Sequence, residues 1–295
     1  MTSHCRLLTQ ADYDAYESFL KPLTATSMFL RGNAHKGGME FNGQRLQAHY
    51  FGCFIAGALS GVVGLTWMGN VMVQVPDAAQ LDELFAFARQ QRPDYEMKGV
   101  LGPDAQCRQV IGIMGIQPDQ CKMSETENGY TLPLTDIIVP APLQSGEWHV
   151  RRAVPADAEK LTAWDRHYDV EALGEDPNNL EPYDVSYADE LRRIEQGNAF
   201  VLDVDGVAVS RSHFNTTLPD VVQIGGVYTP PENRSRGYAR AAVAGQLLIA
   251  RTEGVQQAVL FAKDPAAKRA YESIGFKRGD DYHITLLKQG LRLGA

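Results

Sequence analysis

Three arginines surround one glycine in the stretch NRSRGYAR: Arg234, Arg236 and Arg240 lie within a few residues of Gly237, with Ala239 beside them. Ahead of them runs the apolar, β-branched segment VVQIGGVY (221–228), stopped by Pro230 and Pro231. Behind them an Ala-rich apolar segment (238–250) has helical spacing. Strand, basic glycine turn and helix together can bind a phosphate. The turn exposes backbone N–H groups, the helix N-terminus adds positive partial charge, and the arginines add full charge.

A second segment, DPAAKRAYESIGF, follows at 264–276. Asp264 and Pro265 form a helix start, and Gly275 is its stop. Tyr271 inside it offers a phenol, a group that can donate a proton to a leaving thiolate. His213, on an alternating strand, is a further titratable group. Residues 169–190 carry eight acids (Asp169, Glu171, Glu175, Asp176, Glu181, Asp184, Asp189 and Glu190) and no Lys or Arg. Such a segment is either a solvated acidic loop or a lid that attracts a cationic amine.

Together the two segments resemble the GNAT superfamily of N-acetyltransferases. Its acyl-CoA loop has the form Gln/Arg-x-x-Gly-x-Gly/Ala, matched here by Arg234, Gly237 and Ala239. Its later helix reads Asn-x-x-Ala-x-x-x-Tyr-x-x-x-Gly-Phe. Here Asp264 replaces the Asn, while Ala267, Tyr271, Gly275 and Phe276 fit. The resemblance covers about residues 147–288. It implies that acetyl-CoA is the acyl donor, with its pantetheine arm along Val227, Tyr228 and Thr229. The pyrophosphate would meet Arg234, Ser235, Arg236, Gly237, Tyr238, Ala239 and Arg240, and Asp264, Ala267 and Tyr271 would also contact the cofactor. Tyr271 is then the general acid. Many relatives place a Glu as base on the strand before the loop, but this chain has Gln223 there. His213, an acid from 169–190, or ordered water are the alternatives. No metal is implied.

The expected activity is transfer of an acetyl group from acetyl-CoA to a primary amine, a small molecule or a peptide, by direct attack in a ternary complex. The alternative is a non-catalytic acyl-CoA-binding or scaffolding protein of the same fold.

The elements that must position these residues follow from pattern. In the second half they are a strand at 148–153, a helix from 157 to about 168 and a short helix at 186–195. A hairpin across Asp205-Gly206 follows, then the strand at 221–229 and the helix to about 253. A strand at 257–262, the helix after Asp264 and one or two closing strands at 276–287 complete it. The first half repeats this order with a helix at 9–23, a turn-rich stretch at 28–44, strands at 49–56, 59–67 and 71–75, and a helix at 78–91. A strand at 97–101, a helix at 104–114 and a strand at 129–134 close it. Its strand-to-helix junction, VQVPDAAQL, lacks the basic glycine turn. The fold class is therefore α/β (α+β in layer terms), with two GNAT-like mixed-sheet domains and flanking helices. Residues 1–143 would be a degenerate domain without a cofactor loop, and 144–295 the acyl-CoA-binding catalytic domain. Pro140 and Pro142 read as a semi-rigid linker between them. The first half would wall the acceptor site or serve homodimerisation.

Composition agrees. The 295 residues are 44% hydrophobic and 22% charged, with a net charge of −8, so there is no basic field to hold nucleic acid or an anionic membrane. Cys5, Cys53, Cys107 and Cys121 form no C-x-x-C pair. The first 14 residues lack a basic and apolar leader, and no apolar run is of membrane-spanning length. A cytoplasmic protein is expected.

Overall fold

The computed structural model describes residues 3–294. Met1, Thr2 and Ala295, which the sequence-derived leader and domain limits include, lie outside them. The elements in chain order are β1 (Ser3–Leu7), α1 (Tyr13–Leu20), α2 (Thr24–Gly37), β2 (Ala48–Ile55), β3 (Ala58–Thr66), β4 (Asn70–Gln74), α3 (Ala78–Gln91), β5 (Glu96–Pro103), α4 (Asp104–Ile113) and β6 (Cys121–Pro133). They continue as α5 (Ala141–Gln144), β7 (Trp148–Arg152), α6 (Ala158–Leu173), α7 (Tyr183–Glu195), β8 (Ala199–Val204), β9 (Val207–Thr217), β10 (Val221–Tyr228), α8 (Tyr238–Thr252), β11 (Gln257–Ala262), α9 (Pro265–Glu272) and β12 (Lys277–Arg292).

Two compact units result. One holds residues 1–129 and 279–295; the other holds 130–278. In the first, β1 to β4 pair as successive antiparallel neighbours, β4 pairs parallel with β5, and β12 runs antiparallel to β5. In the second, β7 to β10 are successive antiparallel neighbours and β10 is parallel to β11. β6 follows β11 in the strand order. Both units thus share one mixed-sheet topology, which is the repeat that the order of elements in the sequence suggests.

The unit limits differ from a single boundary near 143. Residues 134–143 do not form a free linker: the Leu134 N–H donates to Gln256 O at 2.8 Å and the Ile138 N–H to Ile274 O at 3.0 Å. Leu134 is buried in the core of the second unit. The segment 279–292 pairs with β5 from Tyr282 opposite Pro103 to Arg292 opposite Glu96.

Each unit packs helices on both faces of its sheet, which buries the strands on both sides. In the first, Leu81, Leu84, Phe85 and Ala88 of α3 meet Val63, Val73 and Val100, while Tyr16, Leu20 and Leu30 of α1 and α2 cover the other face. In the second, Val243, Ala244 and Leu247 of α8 pack on Val222, Ile224 and Leu260. Ala158, Leu161 and Ile194 of α6 and α7 pack on Ala199 and Val201.

Two stretches depart from the pattern. The turn-rich 28–44 opens inside α2, not in a loop. Its polar residues are buried because they find partners: Arg31, 1% exposed, is ion-paired with Glu17 and donates to the Thr24 hydroxyl at 2.6 Å. The acidic 169–190 is likewise mostly helical, split between the end of α6 and α7. Among the described residues no helix is long and apolar enough to cross a membrane.

Candidate functional site

The second unit gathers the candidate residues around one end of β10. β10 and β11 are in register only from Val221 opposite Gln257 to Gln223 opposite Val259. Beyond Gln223 the two strands part. β10 leans instead on β9, with register breaks after Gln223 and between Gly225 and Tyr228. The Ser210 hydroxyl donates to Tyr228 O at 3.0 Å and lies 2.9 Å from the Thr229 hydroxyl. Bulges of this kind bend a strand and re-aim its groups. Gly226, at φ +52°, sits under the His213 ring, and a Cβ there would fall 2.0 Å from Cε1.

The loop that follows turns sharply. Ser235 and Gly237 both adopt left-handed backbone, at φ +63° and +84°. Gly237 is the N-cap of α8 and supplies no side-chain cap. The first N–H groups of a 15-residue helix therefore face outward without a side-chain acceptor, beside Arg236 and Arg240, both exposed. That is an anion-binding geometry.

Arg234 is engaged differently from its neighbours. Its Nε donates to Thr229 O at 2.9 Å, its guanidinium is ion-paired with Glu171 of α6, and it lies 5.7 Å from the centroid of the Tyr228 ring. The Tyr228 hydroxyl donates to the same Glu171 carboxylate at 3.2 Å. The Arg234 contact holds the Glu171 carboxyl below its usual range.

On the other side of the parted strands, Asp264 caps α9 and accepts from the Ala266 and Ala267 N–H groups, both at 3.1 Å. Tyr271, 8% exposed, shares an apolar cluster with Val222 and Ile224 of β10 and Leu260 and Ala262 of β11, with Ala267 packed against it. Its ring meets Phe276 edge-on at 6.2 Å.

His213 lies on the opposite sheet face, within a buried charge cluster. Arg211, 1% exposed, reaches Asp165 at 3.0 Å, Glu190 at 3.1 Å and the Leu161 carbonyl at 2.7 Å. It also meets His213 Nδ1 at 2.9 Å, while His213 Nε2 meets Asn215 Oδ1 at 2.8 Å. Arg211 is always a donor, so Nδ1 accepts and Nε2 carries the proton. Burial first, then Arg193 and Arg211, push the His213 pKa well below its usual value. The lone pair of this histidine is already taken by Arg211. Asp169, one helical turn beyond Asp165, behaves oppositely: burial and the neighbouring Asp165 and Glu175 raise its pKa to about 6.

From sequence, Val227 to Arg240 and Asp264 to Tyr271 are expected to share one cofactor site, and the structure brings these two segments to the same end of β10 and β11. His213 is drawn into a different environment. Arg211, Asp165 and Asn215 were not singled out. Arg211 carried a signal, being a lone arginine within the hydrophobic hairpin strand 207–214, which must find carboxylates when buried. Outside this unit, Cys5, Cys53 and Glu83 offer ligand atoms within 4.8 Å of one another.

Residues 161–276 match the acetyltransferase (GNAT) family model, and the chain carries a GNAT-type domain there. No curated protein sequence matches the chain. Solved structures share its fold over nearly its whole length. A GCN5-related N-acetyltransferase from Kribbella flavida has 17% identity and a TM-score of 0.55, covering 90% of this chain and 94% of its own. One from Sphaerobacter thermophilus has 13% identity and a TM-score of 0.56 over 99% and 96%. A tandem GNAT protein from the clavulanic acid biosynthesis pathway has 12% identity and a TM-score of 0.53 over 100% and 99%. The tandem GNAT fold accounts for the duplicated topology, and acyl transfer is the class of activity its family model carries.

Proposed function

We propose that the protein is an acetyl-CoA-dependent N-acetyltransferase whose second unit holds the cofactor. The observation that carries this is the parting of β10 from β11 at Gln223, directly before the left-handed turn at Ser235 and Gly237. The pantetheine arm lies along the free edge of Val227 to Thr229, and the amides of Ser235 to Arg240 take the pyrophosphate. Arg236 and Arg240 supply the charge; Arg234 joins them when its pair with Glu171 opens.

The amine nitrogen, unprotonated, attacks the thioester carbonyl. A C–N bond forms, the C–S bond breaks, and the extra proton on nitrogen passes to water. Tyr271 gives its phenolic proton to the departing thiolate and regains one from solvent. Gln223 takes no proton, and His213 serves as a fixed spacer over Gly226.

The first unit reads as a domain without cofactor. There the Asp77 carboxylate caps α3, accepting from the Gln80 N–H at 2.9 Å, and Gln106 accepts from the Val75 N–H at 2.7 Å. Those side chains fill, in the same order of elements, the positions where the second unit leaves amides free. Calorimetry with acetyl-CoA tests the reading: one molecule bound per chain, with thiol release when an amine is added. Two bound molecules, or none, would overturn it. Binding without thiol release across an amine panel would favour the scaffold alternative.

A further inference from the structure

Two cysteines face each other at the edge of the first unit's sheet. β1 is the terminal strand with β2 beside it, and Cys5 of β1 stands directly opposite Cys53 of β2 in their antiparallel register. Opposite residues point to one face, with Cβ atoms about 4.5–5.5 Å apart. That face is the one α3 covers: Cys53 belongs to the core cluster of Leu81, Leu84 and Phe85, and Cys5 packs against it. α3 brings Glu83 to the same place. The two sulfurs and a Glu83 carboxylate oxygen all lie within 4.8 Å of one another.

Three further features point to a cation. The register of β2 against β3 breaks between Cys53 and Phe54, an irregularity of the kind that re-aims a side chain. The Ser3 hydroxyl donates to Glu83 Oε2, the outer hydrogen bond that ligating carboxylates typically carry. Glu83 is exposed and Cys5 partly buried, which gives an ion an entry path and room for a water ligand. The distances suit zinc. Zn–S bonds of about 2.3 Å and Zn–O bonds of about 2.0–2.2 Å in a tetrahedron put donor atoms roughly 3.6–3.8 Å apart, so these side chains close on one ion by small rotamer shifts. Two thiolates select against hard cations such as magnesium and calcium, and the carboxylate selects against Cu(I).

We propose that Cys5, Cys53 and Glu83 form a zinc site that clips the edge strand β1 to β2 and α3, with water as the fourth ligand. All three residues belong to the first unit, and the inference needs no part of the transferase reading. Burial first, then Cys53 and Glu83, push the Cys5 thiol up to about 12. Zinc displaces that proton to solvent, and its double positive charge offsets the repulsion among the three donors. The clip also holds in register a strand whose outer edge could otherwise pair with another chain.

The full chain, reduced with a phosphine and stripped with EDTA, tests it by titration with zinc chloride and with cobalt chloride. One zinc should bind per chain, and cobalt in its place should give the intense near-ultraviolet absorption of a thiolate-to-cobalt charge transfer. Cys5→Ser and Glu83→Gln should each weaken zinc at least about tenfold, with an unchanged circular dichroism spectrum. Cys121→Ser, at another partly buried thiol, should bind zinc as the parent does. Glu83 is exposed, so Glu83→Gln still reports if Cys5→Ser fails to fold. Absence of zinc binding, cobalt binding without the thiolate band, or a zinc affinity unchanged by Glu83→Gln overturns the proposal. Air oxidation of Cys5 and Cys53 to a disulfide in the presence of excess zinc also overturns it, because it would show the two thiols to be a redox pair that zinc does not hold.

Discussion

Arg234, on the loop before α8, is ion-paired with Glu171, on the last turn of α6. The pair ties the loop between β10 and α8 to the helix that carries Asp165 and Asp169. Both side chains are exposed, 46% and 42%, so the pair is weak and can open. Glu171→Gln should free Arg234 and tighten acetyl-CoA binding roughly threefold at low salt, with the gain fading at high salt. Titrations at two ionic strengths measure it. An unchanged affinity would mean that Arg234 never reaches the cofactor.

Tyr271 is assigned the leaving-group proton. Tyr271→Phe should lower kcat about a hundredfold and leave the acetyl-CoA Kd within a factor of two or so, because the ring still packs on Phe276. Full turnover in the variant would remove the acid role. A large rise in Kd with unchanged kcat would mean that the hydroxyl only binds.

Gly226 has two reasons to be glycine. Its φ of +52° is unfavourable to other residues, and the His213 ring occupies the space of a Cβ. Gly226→Ala should cost about 2–3 kcal/mol in urea unfolding. Pairing it with His213→Ala should recover part of the loss by relieving the contact, but not the backbone strain. Simple additivity of the two changes would show that the ring and the glycine are independent.

Asp169 gives a pH signature. The groups facing it are Asp165, Glu175, Arg193 and Arg211, with neutral His213 behind them. Its pKa is raised to about 6 from an ordinary 3.8, so the folded protein holds this proton more tightly than the unfolded chain. The associated stability is full below about pH 4 and is lost as pH rises through 6. Asp169→Asn removes that loss. The variant should match the parent at pH 4 and melt about 2 °C higher at pH 8. Equal melting at both values would mean that Asp169 is better solvated than its position implies.

Much of this site was legible in the sequence. A β-branched run, two prolines, a glycine among arginines and an Ala-rich helix describe β10, the turn and α8 through local rules alone, and the Asp264 cap fixes the start of α9 in the same way. The charge cluster was not legible. Its acids looked solvated because their partners, Arg193 and Arg211, come from α7 and β9, and pairing across elements leaves no local pattern. α2 was hidden for a related reason: Gly32, Gly37 and Gly38 suggest turns, while burial of Arg31 depends on Glu17 in another helix. Strand partners were equally silent. The residues of β12 read as closing strands, yet nothing in their alternation says that they pair with β5.

That pairing sets an order of assembly during synthesis. The unit encoded by 130–278 has all its residues once position 278 has left the ribosome, whereas the unit begun at the N-terminus waits for 279–294. Until then the edge of β5 is unprotected, an open template for aggregation or for exchange with another nascent chain. A stalled chain ending at residue 278 and followed by an unstructured linker long enough to clear the ribosome exit tunnel should therefore be cofactor-competent, with a protease-sensitive N-terminal half.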